Sequence, residues 1–281
     1  MIKKNMNTIP IPNSNILQRN SHDIFKRPHK VFIEGHRGVN REFIENTIDS
    51  FKQAINYNLD SIELDVWLTK DKIPIVVHGG SKGNLRNKLV KSVTTNCFPK
   101  DFNSDIITKL KINGTDQTIP TLNEVLDLCK NKIFVNIELK DPNIKETFNR
   151  VIKLIERKKM INQIALNSYE PFYYEYVTKY NEIHKNKIEF GKNFKVSPLP
   201  FLIRYRFKEK NVCLNIYHKE IKKEIVDQAH LFGDAVMAWF KMTDEENEKI
   251  YKHLIDCGVD VISSNEPYKA KTFRDKYLKK K

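Results

Sequence analysis

The alternation of short apolar runs with amphipathic segments is the feature that most limits how this chain can fold. Eight runs are rich in β-branched and aromatic residues, which is typical of buried strands. The predicted strands are residues 31–36, 61–66, 133–139, 162–168, 188–194, 211–217, 235–240 and 260–264. The predicted helices are residues 44–58, a helix starting after Thr121 within 119–132, then 143–159, 171–182, 219–232, 244–257 and one from about 267. This alternation predicts an α/β fold, a (β/α)8 TIM barrel, with a doubly wound open sheet as the alternative.

A further apolar run, residues 73–78, breaks the alternation. Only residues 70–72 separate it from the strand before it. A parallel crossover needs about a dozen residues, so the two runs must form an antiparallel hairpin. A two-residue turn would place His78 opposite Asp65, and a three-residue turn would place it opposite Leu64. In either register the hairpin returns a histidine to the height of the carboxylates on the preceding strand.

The pattern predicts one large domain. Residues 1–30 contain Pro, Asn and Ser punctuation and are interpreted as an irregular N-terminal arm. Residues 31–281 form the predicted barrel domain. Residues 79–118 are polar and weakly periodic, so we expect an insertion after His78. Its role is open.

Composition limits the partners and the location. The net charge of +14 could indicate an anionic partner, such as a phosphate substrate, an anionic lipid surface or a nucleic acid. The lysines are instead spread along the chain without a nucleic-acid-binding motif, which favours a solvated surface and no nucleic-acid partner. We see no secretory signal and no transmembrane run, so a cytoplasmic location is expected. The widely spaced cysteines predict reduced, mostly buried thiols: Cys97, Cys129, Cys213 and Cys257.

Two carboxylates occupy one face of the second predicted strand. Glu63 and Asp65 are two residues apart, so both point into the barrel interior. Glu138, near the end of the strand 133–139, can supply a third oxygen ligand. Carboxylates without thiolates or a histidine pair favour a hard divalent cation, Mg²⁺ or Ca²⁺. The alternative is an ion network in which Lys140 or Arg37 neutralises the carboxylates.

Histidines and cations follow the same strands. His36 and His78 lie at strand ends beside carboxylates, a distribution that favours acid–base chemistry over a structural role. Arg37 offers a planar fork for a phosphate, or else a salt bridge to a nearby glutamate. Lys140 is a candidate for neutralising phosphate charge. Trp239 is a candidate substrate-pocket wall, with core packing as the alternative.

The order and spacing of these motifs resemble the glycerophosphodiester phosphodiesterase family, over roughly residues 31–270. The matching segments are HRG at 36–38, ENT at 45–47 with SF at 50–51, IELDVWLTKD at 62–71, VVH at 76–78, IPTL at 119–122, NIELK at 136–140 and GVDVISSNEP at 258–267. The resemblance implies a (β/α)8 barrel with a small insertion after the second catalytic histidine. It implies that His36 and His78 are an acid/base pair. The residues that match the divalent-metal ligands are Glu63, Asp65 and Glu138, and those that match phosphate-contacting positions are Arg37 and Lys140.

Three positions depart from the family pattern. Gly79 replaces the Asp that usually follows the second histidine, and Ile44 replaces the Pro that often precedes ENT. Asn265 begins the segment Asn-Glu-Pro where the final motif usually carries an acidic residue. These departures bear on substrate preference and on hydrogen bonding around the site.

The implied activity is metal-dependent hydrolysis of a small-molecule glycerophosphodiester to sn-glycerol 3-phosphate and an alcohol, with two-histidine acid/base catalysis. The first alternative is a lysophospholipase D that acts on a lysolipid. In that case the apolar and basic stretch Pro198–Lys210 could be a lipid-facing lip, or else an ordinary loop. The second alternative is an inactive barrel that binds phosphodiesters or a protein partner. The presence of every proposed site residue argues against it.

Overall fold

A computed structural model of the protein describes residues 31–86, 95–194, 212–231 and 233–280. Within these ranges nine strands form one sheet. The strands are β1 (Phe32–Gly35), β2 (Ser61–Leu68), β3 (Pro74–Val76), β4 (Phe134–Leu139), β5 (Ile164–Ser168), β6 (Glu189–Asn193), β7 (Cys213–Tyr217), β8 (Ala235–Trp239) and β9 (Val261–Ser264). Every strand expected from the sequence is present, and β3 is the return strand of the hairpin.

Eight of these strands are parallel and close into a barrel. Their order around the barrel is β1, β2, β4, β5, β6, β7, β8 and β9. Closure is made by β1, where Glu34 is level with Ser61 on one side and with Ser263 on the other. An open doubly wound sheet would leave two parallel edge strands, so the (β/α)8 prediction is confirmed and its alternative is wrong.

Eight helices are described, most of them between the barrel strands. They are α1 (Ile48–Asn56), α2 (Ser104–Ile107), α3 (Leu122–Cys129), α4 (Ile144–Arg157), α5 (Phe172–Ile183), α6 (Lys223–Leu231), α7 (Glu248–Cys257) and α8 (Pro267–Leu278). Both α1 and α7 begin four residues later than their apolar spacing predicted. Side-chain caps set these starts, because Thr47 accepts a hydrogen bond from the Ser50 amide and Asn247 accepts one from the Ile250 amide.

The hairpin of β2 and β3 has the register of the three-residue turn. Val66 is level with Val76, and the same register places Leu64 at the height of residue 78. Lys72 in the turn has a φ of 64°, the left-handed conformation that such tight connections require. The hairpin therefore brings His78 back to the carboxylate end of β2, as the sequence predicted.

The barrel interior changes character along its axis. A plug of buried, mainly apolar side chains fills the end of the barrel at which the parallel strands begin: Phe32, Phe134, Ala165, Cys213, Ala235, Met237 and Val261. A larger apolar cluster between the barrel and its helices holds the outer layer. Above the plug the inward-facing positions are mostly polar. Because the plug closes one end, the polar interior opens only towards the mouth where the parallel strands finish.

Part of the excursion after His78 packs on the hairpin. Leu85, Cys97 and Ile107 are buried in a satellite cluster with Trp67 and Ile75. Residues 1–30 and the stretch Pro198–Lys210 lie outside the described residues, and the single-domain assignment of residues 31–281 stays a prediction. All four cysteines are buried and free. In the described ranges we find no helix with both the length and the apolar character needed to span a bilayer.

Candidate active site

The open end of the barrel contains a cavity of about 250 Å³. Of the eight site residues predicted from sequence, seven line it: His36, Arg37, Glu63, His78, Glu138, Lys140 and Trp239. The eighth, Asp65, is fully buried and forms ion pairs with Arg37 and Lys140. The barrel thus brings together residues that are up to about two hundred positions apart in the chain.

Three carboxylates form one buried cluster. Asp65 on β2 is level with Glu138 on β4, and Glu63 lies one inward-facing position below Asp65. One oxygen from each of the three lies within 4.8 Å of the others. Oε1 of Glu63 is buried without a hydrogen-bond partner among the described residues. The cluster therefore has the oxygen donors and the unmatched acceptor expected of a hard-cation site.

Two cations neutralise part of this charge. Lys140 Nζ lies 2.6 Å from Glu138 and 3.1 Å from Asp65, and Arg37 Nε lies 3.1 Å from Asp65. Burial opposes ionisation of Asp65, but Lys140 and Arg37 outweigh it and hold the pKa of that carboxyl far below its usual range. Burial, reinforced by Asp65 and Glu138, raises the pKa of Glu63 well above its usual value.

The charges and ion pairs of the cluster indicate whether a metal ion suits it. Three buried carboxylates face two cations, and among the described residues Glu63 is the carboxylate that forms no ion pair with either cation. An unpaired buried charge is costly, so one more positive centre fits this donor set. The ion-network alternative describes Asp65 correctly, whereas it leaves Oε1 of Glu63 unmatched. Glu63, Asp65 and Glu138 are the residues that could hold a divalent cation.

His36 has a defined tautomer. Its Nδ1 lies 2.8 Å from Oδ1 of Asn265. The Asn265 amide nitrogen donates to the Lys241 carbonyl, and Asn40 donates to Oδ1, so this oxygen is an acceptor. Nδ1 of His36 therefore carries the proton, and Nε2 holds the lone pair. Burial, together with Arg37, lowers the pKa of His36 to about 3, so the ring is neutral at neutral pH.

His78 reaches the cavity from the hairpin. Trp67 donates to its backbone carbonyl at 3.2 Å, which ties the end of the hairpin to β2. Burial lowers the pKa of His78 to about 4, although Asp65 favours its charged form. Two neutral imidazoles thus share one cavity with a carboxylate cluster.

The ENT segment does more than start α1. Thr47 caps the helix. Asn46 does not cap the helix: its Nδ2 donates to Asp65 Oδ2 at 2.8 Å, and its Oδ1 accepts from the Asp65 amide. Glu45 pairs with Arg37 at 2.7 Å, the salt bridge considered from sequence. The sequence signal for the role of Asn46 is limited to its residue type. Asn46 has a φ of 60°, and Asn is a residue that tolerates this left-handed conformation.

A row of asparagines lines the cavity and was not identified from sequence. Asn136, Asn167, Asn193 and Asn215 lie on the consecutive strands β4 to β7, and their amides hydrogen-bond one to the next. The signal was available, because an Asn within an apolar strand is unusual in a core. Trp239 also lines the cavity and packs against Tyr217, with ring centroids 5.2 Å apart.

The fold and the site define a class of protein. Carboxylates, imidazoles and cations converge on a cavity at the carboxyl ends of barrel strands, where enzymes of this fold place their chemistry. Arg37 and Lys140 suit an anionic substrate, and paired imidazoles suit proton transfer. This is the arrangement of a barrel hydrolase for phosphate esters.

Comparison with known proteins identifies the family. The model of the glycerophosphoryl diester phosphodiesterase family matches residues 36–269. The chain belongs to this family. Its members are phosphoric diester hydrolases.

Individual relatives and a solved structure can be aligned with most of this chain. The glycerophosphodiester phosphodiesterase of Caldanaerobacter subterraneus is 29% identical over 252 residues, which are 85% of this chain and 95% of the relative. Human lysophospholipase D GDPD1 is 26% identical over 277 residues, 85% of this chain and 84% of the relative. The structure of an Oleispira antarctica phosphodiesterase in complex with the product sn-glycerol-3-phosphate has a TM-score of 0.70 at 20% identity, and covers 86% of this chain and 96% of that chain.

Proposed function

We propose that this protein hydrolyses glycerophosphodiesters to sn-glycerol 3-phosphate and an alcohol, with His36 and His78 as the acid/base pair. The observation that carries the proposal is the sharing of one cavity by both imidazoles, the carboxylate cluster and the cations Arg37 and Lys140. The family, and the substrates named for the bacterial relative, support the same substrate class.

The proposed cofactor is a divalent cation, Mg²⁺ or Ca²⁺, held by Glu63, Asp65 and Glu138. When bound, the cation would supply positive charge beside the phosphoryl oxygens. This charge would stabilise the negative charge that these oxygens gain in the transition state. Arg37 and Lys140 line the same cavity, and they would contribute to the same stabilisation from the protein side. Their ion pairs with Asp65 keep both cations at the cavity wall when no phosphate is bound.

The proton transfers follow from the histidines. In the first step the glycerol 2-hydroxyl attacks phosphorus, and His36 accepts its proton at Nε2, the nitrogen that the Asn265 hydrogen bond leaves with a lone pair. The bond from phosphorus to the departing alcohol oxygen breaks, and His78, which is neutral in the free protein and must first take up a proton from solvent, supplies that proton to the oxygen. In the second step the roles reverse: His78 takes a proton from water as it attacks the cyclic phosphate, and His36 returns one to the 2-oxygen.

The first test is turnover of glycerophosphocholine by the full chain, measured as sn-glycerol 3-phosphate released. Excess chelator should abolish activity, and Mg²⁺ or Ca²⁺ should restore it. Full activity in excess chelator would refute the metal site. His36→Ala and His78→Ala should each lose about 100-fold or more in kcat with an unchanged far-UV circular dichroism spectrum. Near-normal kcat in either variant contradicts the two-histidine mechanism.

A substrate with a nitrophenol leaving group separates the two histidines. Such a leaving group departs without a proton, so it should restore much of the activity of the variant that lacks the acid. We expect rescue for His78→Ala and none for His36→Ala. The reverse pattern would exchange the two roles.

A second candidate is a lysophospholipase D activity. A groove of about 610 Å³ extends from His78 along the rim of the cavity, and its lining includes four apolar side chains, Phe43, Ile44, Ile112 and Met242, beside polar ones. Phe43 and Ile44 are 37% and 39% exposed, a suitable surface for an acyl chain. The human relative named lysophospholipase D agrees with this candidate. Turnover of lysophosphatidylcholine faster than of glycerophosphocholine, lost in Ile44→Asn but not in an exposed-surface variant such as Ile183→Asn, would establish it.

A further inference from the structure

Two buried polar atoms on the far wall of the cavity have no partner among the described residues. They are Nε1 of Trp239, a donor, and Oδ1 of Asn215, an acceptor. Both side chains line the cavity. They lie on the neighbouring strands β8 and β7, which are across the barrel from the carboxylates of β2 and β4. Buried polar groups are almost always hydrogen-bonded, so two such atoms on one wall point to a ligand.

The orientation of the Asn215 amide is set by its neighbours. Its Nδ2 donates to Oδ1 of Asn193 at 2.6 Å, and the Asn193 amide in turn donates to Asn167 at 2.8 Å. The row continues through Asn136 to the carboxylate of Glu34. Every amide donates towards Glu34, so the acceptor left over at the other end of the row is Oδ1 of Asn215. Asn215 is only 2% exposed, and reorienting it would break the row.

Gly191 provides the room for this arrangement. A Cβ at that position would lie 2.8 Å from Nδ2 of Asn215 and 3.2 Å from its Oδ1. Real Cβ atoms do not approach other atoms so closely, and any side chain there would displace the Asn215 amide. The absence of a side chain at Gly191 therefore keeps the acceptor at the cavity wall.

One donor and one acceptor together match a hydroxyl group, which both accepts and donates a hydrogen bond. A quaternary ammonium has no such proton, and an acyl chain can satisfy neither atom. In the proposed reaction the 2-hydroxyl of glycerol attacks phosphorus on the carboxylate side, which leaves the 1-hydroxyl for the opposite wall. We propose that Trp239 and Asn215 form a subsite for the free sn-1 hydroxyl of the substrate glycerol; this inference rests on the proposed function.

The subsite makes the sn-1 position a point of substrate selection. An sn-1 ester oxygen has no proton for Oδ1 of Asn215, and its acyl chain would have to pass the buried wall. The inference thus assigns glycerophosphodiesters, rather than 1-acyl lysophospholipids, as the preferred substrate class. A hydroxyl on the departing alcohol has the same chemistry, and the choline substrate removes that source because choline bound to phosphate has no free hydroxyl.

The test compares glycerophosphocholine with its 1-deoxy analogue, which keeps the 2-hydroxyl nucleophile and lacks only the 1-hydroxyl. We expect the metal-loaded wild-type protein to turn over the analogue with kcat/KM lower by about 10- to 100-fold, because both wall atoms stay unmatched. Trp239→Phe keeps an aromatic ring of smaller size and removes the donor. Asn215→Leu keeps the approximate shape and removes the acceptor, together with the hydrogen bond donated to Asn193. Each should lower kcat/KM for glycerophosphocholine by about tenfold or more and leave that for the 1-deoxy analogue nearly unchanged.

The comparison of variants with substrates separates binding from structural damage. Equal losses on both substrates in Trp239→Phe would overturn the subsite, even if Asn215→Leu failed to fold. Equal kcat/KM of the wild type for the two substrates would also overturn it. In both cases the proposed phosphodiesterase function stands, since glycerophosphocholine is still hydrolysed. Failure of the wild type to hydrolyse glycerophosphocholine at all would instead refute the proposed function itself, and the subsite with it.

Discussion

Replacing Glu34 by Gln should stabilise this protein at neutral and higher pH. Glu34 is fully buried inside the barrel, where it lines the cavity. Its carboxyl accepts hydrogen bonds from Ser61 and from Asn136 at the end of the amide row. Burial, only partly offset by Ser263 and these two donors, raises the pKa of Glu34 to about 7 from an ordinary value of 4.5.

The direction and size of the effect follow from proton linkage. The folded protein keeps the Glu34 proton until the pH approaches 7, whereas the unfolded chain releases it near pH 4.5. The contribution of Glu34 to the free energy of unfolding is therefore fully present below pH 4.5, and it is lost as the pH rises through 7. A difference of about 2.5 pKa units corresponds to about 3 kcal/mol, at about 1.4 kcal/mol per unit. Gln has the same shape and does not titrate, and the serine hydroxyls can rotate to accept from its amide.

The measurement is the free energy of unfolding in urea for the wild type and Glu34→Gln at several pH values, with excess chelator present throughout. The variant should differ little from the wild type near pH 4.5 and should be more stable by about 3 kcal/mol above pH 8. A difference between the two proteins that does not change with pH would refute the assignment of a buried, protonated carboxyl at this position.

Two further substitutions test contacts that the sequence did not predict. Asn46→Ala should lose about 3 kcal/mol of stability, from its hydrogen bond to the buried Asp65 carboxylate and from the left-handed backbone. It should also raise the metal concentration for half-maximal activity by about 10- to 100-fold. Asn46→Gly should recover about 1 kcal/mol in urea unfolding but none of the metal response, and recovery of both would refute the contact. Gly191→Ala should destabilise by about 1–3 kcal/mol in the same assay and weaken glycerophosphocholine turnover, since its Cβ meets the Asn215 amide; an unchanged Tm would contradict this.

The secondary-structure elements and most of the candidate site residues could be predicted from local sequence patterns. Local periodicity defines strands and helices, and the three residues between β2 and β3 are too few for any connection but a hairpin. Two carboxylates at alternate positions of one strand must share a face, so Glu63 and Asp65 could be assigned to the interior together. His36 and His78 were predicted from their positions at strand ends beside carboxylates, and the order and spacing of the family motifs then implied the same acid/base pair.

The contacts between segments that are distant in sequence depend on the tertiary structure. Closure of the barrel places Asn265 of the last strand end against His36, 229 residues earlier, and so selects the histidine tautomer. The same closure aligns asparagines from four strands into one row and leaves Oδ1 of Asn215 without a partner in the part of the chain that the structure describes. Such pairings depend on strand register and on the rotation of each strand around the axis, which no local pattern encodes. The sequence therefore predicts most of the charged groups and imidazoles that line the cavity, while the closed barrel determines which of the cavity groups contact one another.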